Sequence, residues 1–223
     1  MRRRIVELFP IEHVVGLFVQ RDVGAGVYRR KGLRTAVRAV ERLAASGLPV
    51  RLVVLGGRRG AIPPGGSQPP WGTFIFAGRQ TDPVPLYAAA DAFVLPTFYD
   101  PCSLSVCEAA ASGLPVVTTR CNGAAELLAE GHDGFILDDP ADDGTLADRL
   151  RQLMDAAVRQ RMGAAARRTA LRYPLERNCA ELLSIYRDAA ESRKPAGGRM
   201  SIALRASGSA ADFPGGAARR RAA

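Results

Sequence analysis

The hydrophobic pattern along the middle of the chain alternates between short apolar runs and amphipathic stretches. Val50–Leu55 is a largely apolar run of strand length, and the preceding Leu33–Ala45 has helical periodicity. The apolar side chains that share one face of this helix are Leu33, Val37, Val40 and Ala44. Parallel strands are buried on both faces and are joined by helices, so the alternation predicts an α/β fold with a doubly wound parallel sheet. Ligands are then expected at the carboxyl ends of the strands.

The pattern predicts the order of elements along the whole chain. The predicted strands cover residues 14–19, 50–55, 73–77, 92–96, 115–119 and 134–137. The predicted helices cover residues 33–45, 85–90, 100–112, 123–128, 145–157, 158–171 and 175–190. Residues 56–70 contain four prolines and five glycines, which excludes a helix there and predicts a loop. We expect a poorly ordered lead-in at 1–13, one domain at 14–192 and a disordered basic tail at 193–223.

Two carboxylates, Asp100 and Glu108, stand eight residues apart in the most informative stretch of the chain. Asp100 followed by Pro101 fits a helix N-cap, and Ser103 offers a slightly later start. Gly113 fits the stop of the same helix. The N-terminus of such a helix suits a phosphate, and a carboxylate about two turns further can accept hydrogen bonds from sugar hydroxyls.

The formal net charge of +9 is concentrated at the two ends of the chain. Residues 1–31 carry +4 and residues 193–223 carry +6, so the body between them carries −1. A nearly neutral body does not resemble a domain that reads a nucleic-acid groove, and we expect no nucleic-acid partner. Two interpretations of the basic ends stay open: solvated tails, or peripheral contact with an anionic membrane surface.

The sequence contains no apolar run long enough to span a membrane and no apolar segment typical of a signal peptide. Four scattered cysteines and two histidines show no spacing typical of a metal site, so no metal or other cofactor is expected. Free cysteines fit a reducing compartment, which predicts a cytoplasmic protein, with the inner membrane face as the site of any peripheral contact.

Several blocks, taken in order, resemble the donor-binding C-terminal half of retaining GT-B glycosyltransferases of family four. Asp100 stands where the first glutamate of the E-x7-E signature usually stands, and Glu108 is the second. The other blocks are YRRKGLRTAVRAVERL, LVVLGG, FIFAGRQTDPVPLYAAADAFVLPTFYDP and TTRCNGAAELL. The resemblance extends from about residue 28 to about residue 190 and includes hexosyltransferases of the lipopolysaccharide core. It implies that residues 14–192 form a Rossmann-like nucleotide-sugar-binding domain.

The resemblance implies transfer of a hexose from a nucleotide diphosphate sugar, UDP-linked first of all, to a glycan or glycolipid of the cell envelope. Stereochemistry would be retained without a metal. Arg30 and Lys31 would hold the donor diphosphate, and Asp100 would approach the donor sugar and the reacting centre. Glu108 would hold the ribose hydroxyls.

Further donor-binding positions follow from the same resemblance. The amides expected to face the phosphates and ribose are those of Ser103, Leu104 and Ser105. Asn122 and Gly123 form either a second anion nest or a simple turn. Gly78 and Arg79 follow a strand end where the family's base pocket lies, although Arg79 also fits a plain surface charge.

Enzymes of the GT-B class have two Rossmann-like domains, and the sequence matches only the second. We therefore expect the acceptor-binding N-terminal domain to be absent, the reading frame being truncated or that half lying on another chain, and the chain alone to have little turnover. The alternatives are a non-catalytic nucleotide-sugar-binding module or subunit, and an epimerase or phosphorylase of the same fold. A dinucleotide-dependent oxidoreductase is disfavoured, because no G-x-G-x-x-G follows the first strand.

Overall fold

The computed structural model describes residues 14–19, 29–56 and 73–192. The chain divides into two compact units, Met1–Asn178 and Cys179–Ala223. The described part of the first unit contains a six-stranded parallel sheet in the order β3-β2-β1-β4-β5-β6. Its strands are β1 (Val14–Val19), β2 (Val50–Leu55), β3 (Phe74–Gly78), β4 (Ala92–Val94), β5 (Val116–Thr119) and β6 (Gly134–Leu137).

The strand order confirms the predicted doubly wound α/β fold and defines a specific crevice. After β1 the chain adds strands on one side of the sheet, and from β4 onward it adds them on the other. The crevice at the carboxyl ends of β1 and β4 is therefore the topological switch point, where doubly wound sheets bind their ligands.

Helices connect the strands in the described part of the chain. They are α1 (Leu33–Ala45), α2 (Val84–Ala89), α3 (Leu104–Ala111), α4 (Asp143–Gln152), α5 (Ala156–Ala170) and α6 (Leu175–Ser192), with a 3₁₀ helix at Gly123–Leu127. Helix α1 contacts α4, and α3 contacts α5. No described helix is both long enough and apolar enough to cross a membrane.

The core of the first unit is built from the strands and from one face of each packed helix. All three residues of β4 are fully buried, as are Leu52 and Val54 of β2. The predicted apolar face of α1 is largely confirmed: Leu33, Val37 and Val40 are buried, and Ala44 packs partly buried against the core. Burial of apolar surface on both sides of the sheet stabilises this layered arrangement.

The predicted bounds of β1, α1, β2 and β6 agree with the structure, and β3, β4, β5 and α2 shift by one or two residues. The predicted helix start at Asp100 is wrong. Helix α3 begins at Leu104 with Ser103 as its N-cap residue, so the later start is confirmed. Asp100 cannot cap a helix because it pairs as an extended residue: its N–H donates to the Cys121 carbonyl oxygen, and its own carbonyl oxygen accepts from the Gly123 N–H.

The predicted helix at 145–157 begins two residues too late and runs five residues too far. Asp142 caps α4, and Asp155 caps α5 by accepting from the amides of Ala157 and Val158 at 2.7 and 3.2 Å. Asp155 lies inside the predicted helix but cannot be helical there, since an N-cap residue has non-helical backbone angles. The predictions for 1–13, 57–70 and 193–223 lie outside the described residues.

Candidate functional site

Two loops are joined at the switch point by hydrogen bonds to one carbonyl group. Arg30 immediately precedes the turn that leads into α1, and the segment after β4 carries Thr97 and Phe98. The Phe98 N–H donates to the Arg30 carbonyl oxygen at 2.7 Å, and the Thr97 hydroxyl lies 2.9 Å from the same oxygen. These contacts hold the turn that precedes α1 directly against the end of β4.

Gly32 permits the close approach of these loops. Its φ is +75°, in the left-handed region, and a Cβ atom there would lie 1.8 Å from the Pro96 carbonyl oxygen. No side chain fits at that distance. Glycine at position 32 therefore lets the backbone beside Lys31 lie against the segment after β4.

Lys31 and Asp100 form an ion pair across the crevice. Lys31 Nζ donates to Asp100 Oδ2, and their side chains are only 14% and 8% exposed. Arg30 lies beside them, with Nη1 3.4 Å from the Tyr99 carbonyl oxygen. The structure thus brings together the three residues that the resemblance assigns to the diphosphate and the reacting centre.

The side chain of Asn122 fixes the N-terminus of α3. It is 1% exposed, and its Oδ1 accepts from the Ser103 and Ala124 amides at 3.2 and 3.1 Å. Gly123 is held close to the same loop: a Cβ there would lie 1.9 Å from the Pro101 carbonyl oxygen. The Gly123 amide donates to Asp100. Anion binding by Asn122 and Gly123 stays a prediction, with the Gly123 and Ala124 amides engaged within the chain.

The start of α3 offers two backbone donors. Ser103 has its amide bound to Asn122, and its hydroxyl lies 2.9 Å from that of Ser105. No described residue accepts a hydrogen bond from the amide of Leu104 or Ser105. The first amides of a helix point outward at the positive end of the helix dipole, so these two suit a phosphate.

Glu108 lies one turn beyond Leu104 on α3 and is half-buried. Its Oε2 accepts from the Tyr87 hydroxyl at 2.9 Å. It also lines a pocket of about 280 Å³ between α3 and the end of α5, together with Leu128 and Tyr173. Tyr87 is not among the site residues predicted from the sequence, although a tyrosine in an apolar stretch signals a buried hydroxyl that needs a partner.

Cys107 is a structural residue of α3. Burial, and after it the neighbouring Cys102 thiol, raise the pKa of the Cys107 thiol to about 11. All four cysteines are free. No group of three potential metal ligands occurs among the residues that the structure describes.

Gly78 and Arg79 lie at the end of β3, two strands away from β1 in the sheet. Gly78 ends β3, the edge strand, and its carbonyl oxygen accepts from the Gly56 amide at 2.8 Å. Arg79 is exposed. Within the described residues, no hydrogen bond or ion pair links either residue to Lys31 or Asp100, and their role at a base pocket stays a prediction.

The family of the chain follows from a sequence comparison. The family model described as "Glycosyl transferases group 1" matches residues 22–156, more than half of the chain. The matched range includes Lys31, Asp100 and Glu108. The chain therefore belongs to the group 1 glycosyltransferases.

One curated relative is similar over most of the chain. The chain is 31% identical over 166 residues to the lipopolysaccharide core biosynthesis glycosyltransferase LpsE of Rhizobium meliloti. That alignment covers 72% of the chain and 44% of LpsE. The chain thus spans less than half of the length of this relative.

Solved structures show the same fold. HepE from Anabaena, in complex with UDP-glucose, has a TM-score of 0.66 at 19% identity, covering 82% of this chain and 52% of HepE. The C-terminal domain of LpcC from Francisella tularensis, a glycosyl transferase group 1 family protein, has a TM-score of 0.61 at 20% identity, covering 78% and 92%. The described fold is that of the C-terminal, Rossmann-like domain of GT-B glycosyltransferases.

Proposed function

We propose that the chain binds the nucleotide diphosphate sugar, a UDP-sugar first of all, for transfer of a hexose with retention of stereochemistry. The observation that carries this proposal is the Lys31–Asp100 ion pair at the switch point, with the amides of Leu104 and Ser105 at the start of α3. HepE in complex with UDP-glucose supports the choice of donor, because it shares this fold.

The diphosphate of the donor needs positive charge, which the crevice contains. Arg30 and Lys31 lie on the side of the crevice that follows β1. On the other side, the N-terminal amides of α3 point outward. In the proposed complex the phosphates share Lys31 with Asp100, and the leaving group is stabilised by fixed cations and helix amides. The proposal requires no metal, so we expect EDTA to leave donor binding unchanged.

The two carboxylates have different proposed tasks. Glu108 accepts hydrogen bonds from the ribose hydroxyls, since a carboxylate is an acceptor only. Asp100, which is paired with Lys31, is proposed to approach the donor sugar and the reacting centre. Gly78 and Arg79 are assigned to the base, as in the resembling family.

Transfer itself requires an acceptor held beside the donor. Because the chain spans 52% of HepE and 44% of LpsE, the part proposed for it is donor binding. We attribute acceptor binding to a further domain, on this or another chain, and expect little turnover by these 223 residues alone. The name of LpsE, a lipopolysaccharide core biosynthesis glycosyltransferase, supports a glycan or glycolipid acceptor. We propose that such an acceptor is reached from the cytoplasmic side of the membrane.

A second candidate is a nucleotide-sugar-binding subunit without catalysis. Asp100 replaces the glutamate of the family signature and is tied to Lys31, which limits its reach towards a donor sugar. Glycoside formation after addition of a separate acceptor domain would exclude this candidate. Donor binding without any transfer in that mixture would favour it.

Calorimetry with UDP, UDP-glucose and GDP-mannose tests the proposal. We expect the UDP ligands to bind and Glu108→Gln to weaken them at least about tenfold, as expected for loss of hydrogen bonds to a charged acceptor. Glu126→Gln is the matched control, because Glu126 is an exposed carboxylate outside the crevice, on the 3₁₀ helix. The folded chain failing to bind any of the three ligands at millimolar concentration would contradict donor binding.

A further inference from the structure

We infer that Tyr87 is a positioning residue for the nucleotide: its hydroxyl orients the Glu108 carboxylate that receives the ribose. This inference rests on the proposed donor site and adds to it a residue outside the signature. The inference is based on the hydrogen bond from the Tyr87 hydroxyl to Glu108 Oε2, which is 2.9 Å long. It connects α2 to the helix that begins at the switch point.

Tyr87 is a rigid anchor. Its side chain is 2% exposed, and its ring packs against that of Phe93 with centroids 6.2 Å apart. Phe93 belongs to β4, the strand that leads into the crevice, and is fully buried. The hydroxyl position is therefore set by the core rather than by solvent, because a buried aromatic ring has few alternative rotamers.

The hydrogen bond from Tyr87 matters for Glu108 because the glutamate side chain is long and flexible. Three rotatable bonds separate its carboxylate from the backbone, and ordering them upon ligand binding costs affinity. A carboxylate offers about four acceptor positions, so a bond from Tyr87 is compatible with further bonds from ribose hydroxyls. The Tyr87 bond orders the carboxylate before the ligand arrives.

This arrangement predicts selectivity for ribose. If Glu108 is oriented towards the ribose hydroxyls, the wild-type chain binds UDP more tightly than 2′-deoxy-UDP. Tyr87→Phe keeps the ring and its packing but removes the hydrogen-bond donor. The ratio of the Kd for 2′-deoxy-UDP to the Kd for UDP should therefore fall by about tenfold, or to one if the wild-type ratio is below ten. Binding of inorganic pyrophosphate should stay the same, since it lacks the ribose.

The test measures Kd for UDP, 2′-deoxy-UDP and pyrophosphate with wild type, Tyr87→Phe and Glu108→Gln. Tyr186→Phe is the control, because it removes a hydroxyl from an exposed tyrosine of α6. Loss of the UDP preference in both Tyr87→Phe and Glu108→Gln, with pyrophosphate unchanged, supports the inference. Equal weakening of all three ligands by Tyr87→Phe means a merely structural role and overturns it.

The role of Tyr87 and the donor site itself are tested by different results. Loss of the preference in Glu108→Gln but not in Tyr87→Phe overturns the role of Tyr87 and leaves the donor site standing. No effect of Glu108→Gln on UDP overturns the proposed donor site and the inference with it. If Tyr87→Phe does not fold, 3-fluorotyrosine at position 87 keeps ring and hydroxyl while making the phenol a stronger donor. The UDP preference should then rise, and an unchanged preference overturns the inference.

Discussion

Single atoms decide whether the two loops of the crevice can meet. Gly32 and Gly47 both have positive φ, at +75° and +80°. A Cβ at position 32 would lie 1.8 Å from the Pro96 carbonyl oxygen, whereas one at position 47 would have nothing within 4 Å. Gly47→Ala therefore meets only the backbone penalty, while Gly32→Ala meets a backbone clash as well.

We predict that Gly47→Ala lowers the free energy of unfolding by about 1 kcal/mol, the usual cost of left-handed backbone for a residue with a Cβ. Gly32→Ala should cost at least about 2 kcal/mol more, because the Pro96 backbone must move. Urea unfolding of the two variants measures both values. Equal losses would show that the approach of the loops at Gly32 is not required.

Lys31 and Asp100 show how much of the site a sequence can predict. Both were assigned to the site by resemblance, and the structure brings them into an ion pair. Their direct pairing could not be predicted, because it depends on the meeting of two loops 69 residues apart in the chain. The contact of Tyr87 with Glu108 could not be predicted for the same reason, since it joins two residues that are 21 positions apart and lie on different helices.

Helix boundaries follow from capping residues more than from apolar periodicity. The Thr145 hydroxyl and, after it, the Thr145 amide donate to Asp142 and lower the pKa of its carboxyl below the ordinary 3.8. A group with a lowered pKa stabilises the fold above its ordinary pKa. That contribution is lost as the pH falls through the pKa of the folded state.

We predict that Asp142→Ala lowers the free energy of unfolding by about 1 kcal/mol at neutral pH, as expected for a lost N-cap. The difference from wild type should shrink as the pH falls below the ordinary pKa of 3.8. Asp142→Asn is the control, since it retains a capping oxygen but does not titrate. Urea unfolding across this pH range checks the prediction, and a deficit that grows at low pH would contradict it.

The elements that were predicted well have strong local signals. Helix α1 has an apolar stripe and ends before Gly47, and β2 is apolar and bounded by turn residues. The start of α3 was misplaced because Asp100 and Pro101 look like a cap, whereas strand-like pairing of Asp100 with Asn122 overrides the local preference. That pairing is a tertiary contact, which local sequence does not encode.

At the scale of the whole molecule, the strand order assembles the site from distant segments. Parallel strands have their carboxyl ends at one edge, so the alternation of strands and helices predicts the edge at which ligands bind. The order β3-β2-β1-β4-β5-β6 adds that β1 and β4 are neighbours, which puts Lys31 beside Asp100.

The most direct test is a titration of the isotope-labelled chain with UDP, followed by amide NMR shifts. The account predicts shifts at Gly32, Leu104 and Ser105, which border the crevice, and none at Gly47 or Gly131, which are distant turn glycines with open surroundings. Glu108→Gln should weaken these shifts without moving them elsewhere. Shifts confined to segments that carry none of the proposed donor-binding residues, such as Asp142 and Thr145 at the start of α4, would contradict donor binding at the switch point.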